Sequence, residues 1–400
     1  MKTLTTLRRS ALLAGVFFLA AGTAFAQSKE PFKIGAVYPM TGIGAAAGYS
    51  SEIGTRLAIR DFNAAGGILG RQIQFILTDD QFDATQSVGM AKRLVYSDKV
   101  DVVLGPQAGG LALAAAPVMA EANVLYFSIG STGQLVPKTA PTFFSMQPLP
   151  EEQGFAMLHW AADVRKAKTV AFLTDNSANS KTMTEPFRPY AEKLGMKVTA
   201  IEQFDLGATD MTPQLLALRR SNPDVLLLTG SSAPDMANVL KNIDQINWNV
   251  PIGGSSTLGI LYAPIAKIAG PAIMKRVSSA LQVKAFTYCT GDPLGQSDYS
   301  KFLARLKAED PKGYDQISYS NAVYMYDAMH FVKAAAEGTN STDGRKMVAW
   351  IEENAPKVKA ISGVLKASSS SHFLANLGTI TMVENPDTIR PDGTMKRAGC

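Results

Sequence analysis

Cysteine is almost missing from this chain: 400 residues hold only Cys289 and Cys400. Two cysteines exclude a disulfide-built scaffold and a cysteine-based metal site, and allow one bridge at most. Histidine is nearly as scarce. His159, His330 and His372 show no spacing that suggests a shared metal and read as surface or satisfied side chains. Catalytic signatures are absent as well, with no G-x-S-x-G elbow, no H-E-x-x-H helix and no P-loop. Acidic pairs such as Glu151-Glu152 and Glu352-Glu353 read as solvated helix faces. The balance of 39 basic and 34 acidic residues, without a basic stripe, argues against nucleic acid or an anionic membrane as partner. No cofactor is implied.

What the chain does have begins at residue 1. Lys2, Arg8 and Arg9 precede an uncharged apolar run, Ala11 to Ala21, and Ala24-Phe25-Ala26 places small residues where signal peptidase cuts. This is the pattern of a secretory signal over residues 1–26, with a run too short to span a bilayer. No cysteine follows to carry a lipid, and Arg8-Arg9 fits an ordinary export signal better than a twin-arginine one. The expected product starts at Gln27, has 374 residues and a formal charge of +2, and works in the periplasm. Export to an oxidising compartment favours a Cys289–Cys400 disulfide, with two free thiols as the alternative.

Strand and helix then alternate. Short apolar runs at 33–38, 73–77, 101–104 and 124–127 are separated by helical patterns at 52–65, 85–97 and 111–122. The order restarts with strands at 169–173, 197–201, 225–228 and 251–252 and helices at 184–194, 213–220 and 234–246. Short loops between them predict parallel βαβ construction, hence an α/β chain of two Rossmann-like lobes. A later helix is expected over 321–337, and 362–400 reads as polar loop with short strands.

Gly42-Ile43-Gly44-Ala45-Ala46-Ala47 matches the G-x-G-x-x-A form that cradles a dinucleotide. The partner acid belongs about 20 residues further on. Here the second strand ends at Asp79, 37 residues after Gly42, so a dinucleotide site is not supported. Gly105-Pro106-Gln107-Ala108-Gly109-Gly110 and Gly130-Ser131-Thr132-Gly133 are more informative, because each follows a strand. Open amides at a helix amino end attract anions, and the carboxyl ends of parallel strands are where such sheets bind ligands. Two ordinary capped turns are the competing reading.

With those loops placed, the chain resembles the type I periplasmic solute-binding proteins of the branched-chain amino acid group. The resemblance rests on Ile34-Gly35-Ala36-Val37 with Thr41-Gly42, the run from Asn63 to Arg71, Asp79-Asp80, Val103-Leu104-Gly105-Pro106 and Tyr326-Asp327-Ala328. It implies a receptor of an ATP-binding-cassette importer, monomeric, meeting permease subunits in the inner membrane. It also implies two lobes joined by three crossings, near Gln147, Ser278 and Leu365. Lobe 1 would take residues 27–147 and 279–365, and lobe 2 residues 148–278 and 366–400. Ligand would lie between the lobes and be trapped by hinge closure. The implied ligand residues are Gly109, Gly110, Gly130, Ser131 and Thr132 on one side and Asn179, Ser231, Ser232 and Ser255 on the other.

Several positions depart from the group. Ser255 stands where an acid usually pairs with the ligand's ammonium, Asn179 where an aromatic closes over it, and Gly109 where a serine helps hold the carboxylate. The group's disulfide partners are replaced by Phe82 and Ala108. A buried ammonium needs a carboxylate, and only Asp175 or Asp235 could substitute. The expectation is a small carboxylate without an ammonium group, aromatic or hydroxylated. An amino acid receptor and a ligand-sensing regulatory protein on the same fold are the alternatives.

Overall fold

The computed structural model describes residues 30–400 apart from 231, 314–317 and 387, so the export signal lies outside the described residues. The first sheet contains β1 (Phe32–Tyr38), β2 (Ile73–Asp79), β3 (Val102–Leu104), β4 (Leu125–Ser128) and β5 (Phe143–Ser145). Its order is β2-β1-β3-β4-β5, and every neighbouring pair is parallel. All residues of β3, β4 and β5 are buried, as strands covered on both faces should be. Crossovers run through α1 (Ala45–Ala64), α2 (Ala84–Lys92) and α3 (Gly109–Glu121). The alternation read from the sequence is present, but α1 starts earlier than its glycines suggest. Gly48 lies inside this helix because a Cβ there would collide with the Pro39 carbonyl.

After α4 (Pro150–His159) the chain builds the second sheet. It holds β6 (Thr169–Asp175), β7 (Lys197–Phe204), β8 (Val225–Thr229), β9 (Ile252–Gly254), β10 (Val277–Leu281) and, beyond the short β11 (Thr287–Tyr288), β12 (Thr381–Glu384). The order is β12-β10-β9-β8-β6-β7, with β12 alone antiparallel. The connecting helices are α5 (Ala178–Thr184), α6 (Phe187–Lys193), α7 (Thr212–Arg220), α8 (Ala233–Gln245), α9 (Ser256–Ile260), α10 (Tyr262–Ala269) and α11 (Pro271–Met274). The helix expected over 184–194 is α6, which starts after Pro186, and α5 before it is an additional helix the pattern does not mark.

The chain then returns to the first sheet. Helices α12 (Asp298–Glu309), α13 (Tyr319–Thr339) and α14 (Gly344–Asn354) pack Phe302, Phe331 and Ile351 into the core that holds Ile34 and Phe127. Asp327 is fully buried there and accepts hydrogen bonds from Ile361 N (2.8 Å), Ser362 N (2.9 Å) and Ser362 Oγ (2.6 Å). Burial nevertheless pushes its pKa up to about 6.

Three passages join the sheets. Gln147 lies in the first, between β5 and α4. Ser278 lies inside β10, paired with Gly253 and Glu384, so the second passage comes after Leu281. Leu365 is buried in the first core, and the third passage follows Ala375 and leads to β12. Glu152 clips two of them together. Its carboxylate accepts from Leu149 N (3.1 Å) and Leu377 N (3.2 Å), and burial raises its pKa against the pull of those two amides. Glu152 is therefore part of the hinge, although its sequence context suggests a solvated face.

The tail closes with β13 (Met395–Lys396) parallel to β11. Cys289 and Cys400 are disulfide-bonded, with Cα atoms 5.1 Å apart. Tying positions 111 apart contributes on the order of 4 to 5 kcal/mol in the chain-entropy account. Among the described residues, no helix is long and apolar enough to cross a membrane.

Candidate functional site

Two cavities lie at the carboxyl ends of strands from the two sheets. On the first wall, β3 ends in Gly105, and its loop leads through Gln107 and Ala108 into α3. The loop after β4 carries Ile129, Gly130 and Ser131 beside it. These loops, with Gln147, Gln153 and Gln282, line a cavity of about 330 Å³. On the opposite wall, the ends of β6, β8 and β9 bring Ser180, Gly230, Ser255, Ser256 and Thr257 around a second cavity of about 190 Å³. Gln153 of α4 lines both cavities, and its Oε1 accepts from Ser256 N at 3.3 Å. Gln153 thus links the two cavities.

Two of the glycines serve packing. A Cβ on Gly130 would press on the Ala108 carbonyl carbon and the Gly109 nitrogen, both 2.7 Å away, and one on Gly109 would meet Ser131 O at 2.7 Å. They let the two loops lie against each other. Gly110 is different, since nothing stands within 4 Å of its missing Cβ. The α3 amino end therefore opens freely. Ala108, at its cap position, offers no side-chain acceptor, and no acid sits in the first turn. Among the described residues no side chain caps its first amides, which lie at the positive end of a 13-residue helix.

The other expected residues divide. Ser131 lines the first cavity, but its hydroxyl donates to Pro148 O at 2.9 Å. Thr132 follows it and is not among the lining residues. Ser255 lines the second cavity and is nearly fully buried. Ser232 instead caps α8 by accepting from Asp235 N. Ser231 and the side chain of Asn179 lie outside the described residues, with Asn179 placed beside Ser180 in α5. Asp175 and Asp235 line neither cavity. Asp175 accepts from Ser177 N at 3.1 Å, and Asp235 from Gly207 N at 3.2 Å.

Among the described lining residues of both cavities there is no Asp, Glu, Lys, Arg or His. Nor do the described residues contain a cluster of three or more side chains suited to a metal ion. Sequence reasoning missed Gln107, Gln153, Gln282, Ser180, Ser256 and Thr257. Position alone could have found Gln107, within an already suspected loop, whereas Gln282 follows a strand, β10, that the sequence pattern does not mark.

Comparison with known proteins identifies the family and the fold. A family model described as periplasmic binding protein matches residues 31–387. An amino acid binding protein of Pseudomonas aeruginosa is 27% identical over 323 residues, covering 80% of this chain and 82% of the relative. The substrate-binding protein of a branched-chain amino acid transporter from Streptococcus pneumoniae, solved with isoleucine, superposes with a TM-score of 0.69 at 22% identity. That match covers 92% of this chain and 98% of the other. An ABC-transporter solute-binding protein from Rhodopseudomonas palustris, in complex with p-hydroxybenzoic acid, gives a TM-score of 0.71 at 17% identity, covering 92% and 95%. The two-sheet α/β architecture is the type I periplasmic binding protein fold. Family and fold are those of substrate-binding receptors rather than enzymes. The chain belongs to the periplasmic binding protein family.

Proposed function

We propose that this chain is the exported receptor of an ABC importer and captures a small carboxylate that lacks an ammonium group. The observation that carries this reading is the absence of any acidic side chain among the described lining residues of the cleft, opposite an uncapped helix end. An ammonium enclosed there would lose its hydration without gaining a counter-charge, a penalty of several kcal/mol. A carboxylate meets the amides of Gly109 and Gly110, with Ser131 and Thr132 flanking them. Closure of the two lobes about their three passages then brings Ser255 and its neighbours onto the ligand, and the closed form presents it to the permease. The Rhodopseudomonas palustris structure, bound to an aromatic acid without an ammonium group, supports this ligand class.

A second reading, an amino acid receptor, is favoured by the name of the Pseudomonas aeruginosa relative. Thermal shift and calorimetry on the mature chain separate the two. Aromatic or aliphatic acids should stabilise it, by about 2.7 kcal/mol at 100 times Kd. Leucine, isoleucine and valine should bind poorly. A sub-micromolar Kd for any of the three would replace the first reading with the second.

A further inference from the structure

Three of the four glutamines that line the cleft have spent their oxygens. Gln107 Oε1 accepts from Ser51 Oγ at 3.0 Å. Gln153 Oε1 accepts from Ser256 N at 3.3 Å, and Gln282 Oε1 from Tyr324 Oη at 3.3 Å. The three residues are 5%, 8% and 8% exposed. None of their Nε2 groups has a hydrogen-bond partner among the described residues, and that of Gln107 is completely enclosed. For Gln153 the orientation is fixed, because a backbone N–H can only donate. Amide nitrogens without a partner among the described residues thus stand on two walls and the hinge helix, that of Gln107 just beneath the surface, and no cation or acid is among the described lining residues.

Resting on the carboxylate reading above, we infer that these glutamines select a monocarboxylate carrying a second, neutral oxygen acceptor, that is, an oxo or hydroxy acid. Buried donors without partners gain most from a ligand that supplies acceptors. A bare hydrocarbon acid leaves them unpaired. An ammonium sets donor against donor. A second carboxylate brings a second negative charge that no lining cation meets. The α3 amides take the one charge, and the glutamines read the remaining oxygen.

The test is calorimetry with matched ligands on the mature chain. The aliphatic series is 4-methylpentanoate, its 2-hydroxy and 2-oxo forms, and leucine; the aromatic pair is benzoate and 4-hydroxybenzoate. In at least one series the oxygenated acid should bind about tenfold or more tightly than the bare acid. Gln107→Met should weaken the oxygenated acid about tenfold more than the bare acid and so remove most of that preference. Gln153→Glu keeps an acceptor for Ser256 N and replaces a donor by a charge, so it should weaken the oxygenated acid about tenfold and strengthen leucine. Circular dichroism melts verify that both variants fold. Equal affinity for bare and oxygenated acids, or variants that weaken both alike, would overturn the glutamine assignment and leave the carboxylate reading standing. Tight leucine binding with no acid bound, or no binding by any member, would overturn both.

Discussion

The two walls of the cleft treat their helices in opposite ways. On the second-sheet side, α8 is closed at its amino end: Ser232 accepts from the Asp235 amide, and Asp235 adds a negative charge to the first turn. On the first-sheet side, α3 starts at Gly109 with no capping side chain and no acid in its first turn. The partial positive charge of a helix amino end is thus answered internally on one wall and left for a guest on the other. The proposed carboxylate docks on the first wall, and the second wall reaches it only on closure. Glu152, clipped to Leu149 and Leu377, lies at the hinge between them.

Making α3 resemble α8 is the strongest way to break this contrast. The backbone at Ala108 is already extended, at φ −119° and ψ 149°, as a cap residue requires. Ala108→Asp should therefore cap α3 and raise stability by about 1 kcal/mol, measured by urea unfolding. It should also occupy the amides and repel the ligand, lowering carboxylate affinity by about 100-fold or more. Affinity unchanged in a better-capped protein would show that the ligand charge is held elsewhere.

A smaller effect sharpens the contrast through pH. Asp327 belongs to the first core and has its pKa raised from the ordinary 3.8 to about 6. Between those values the folded chain holds a proton that the unfolded chain has lost. This contribution to stability is full below about pH 4 and disappears as pH rises through about 6. The stability difference between the native chain and Asp327→Asn should therefore shift against the native chain by on the order of 2 to 3 kcal/mol between pH 4 and 7. Subtracting the variant removes the titrations common to both proteins, and a flat difference would mean that the three hydrogen bonds offset the burial.

The unequal legibility of the two walls has a physical cause. Short apolar strands ending in glycine were readable because the pattern is local, and so were the loops at 105–110 and 130–133. The open end of α3 followed from the same residues. Gln153 and Gln282 were not readable: each joins the cleft only because distant strands and helices converge, and a lone glutamine has no periodicity. The hinge role of Glu152 depends on Leu377, 225 positions away. Gly48 and Pro186 misled in opposite directions, since one glycine permits close helix packing while one proline delays the start of a predicted helix. Strand β10 has no local signal because its partner β12, within the stretch of short strands expected over 362–400, pairs with it across a long excursion of the chain through the first core.

The smallest predicted effect tests the closed wall. Ser232 has the residue type of a ligand hydroxyl and sits at the carboxyl end of β8, yet its oxygen already accepts from Asp235 N at 3.4 Å. Ser232→Ala should cost stability, about 1 kcal/mol as for other lost helix caps, through fraying of the first turn of α8. Asp235 tempers the loss, because its carboxylate stays near the helix end and still accepts from Gly207 N. Carboxylate affinity should change by less than about twofold, since no donor to the ligand is removed. Ser255→Ala is the control: Ser255 lines the second cavity, and its hydroxyl makes only a long contact, 3.5 Å, with Gly230 O. That variant should weaken binding more than it weakens the fold. Calorimetry and urea unfolding on both variants decide the matter. If Ser232→Ala lost affinity and kept its stability, the cap assigned to α8 would be a ligand contact, and the two walls would grip the anion alike.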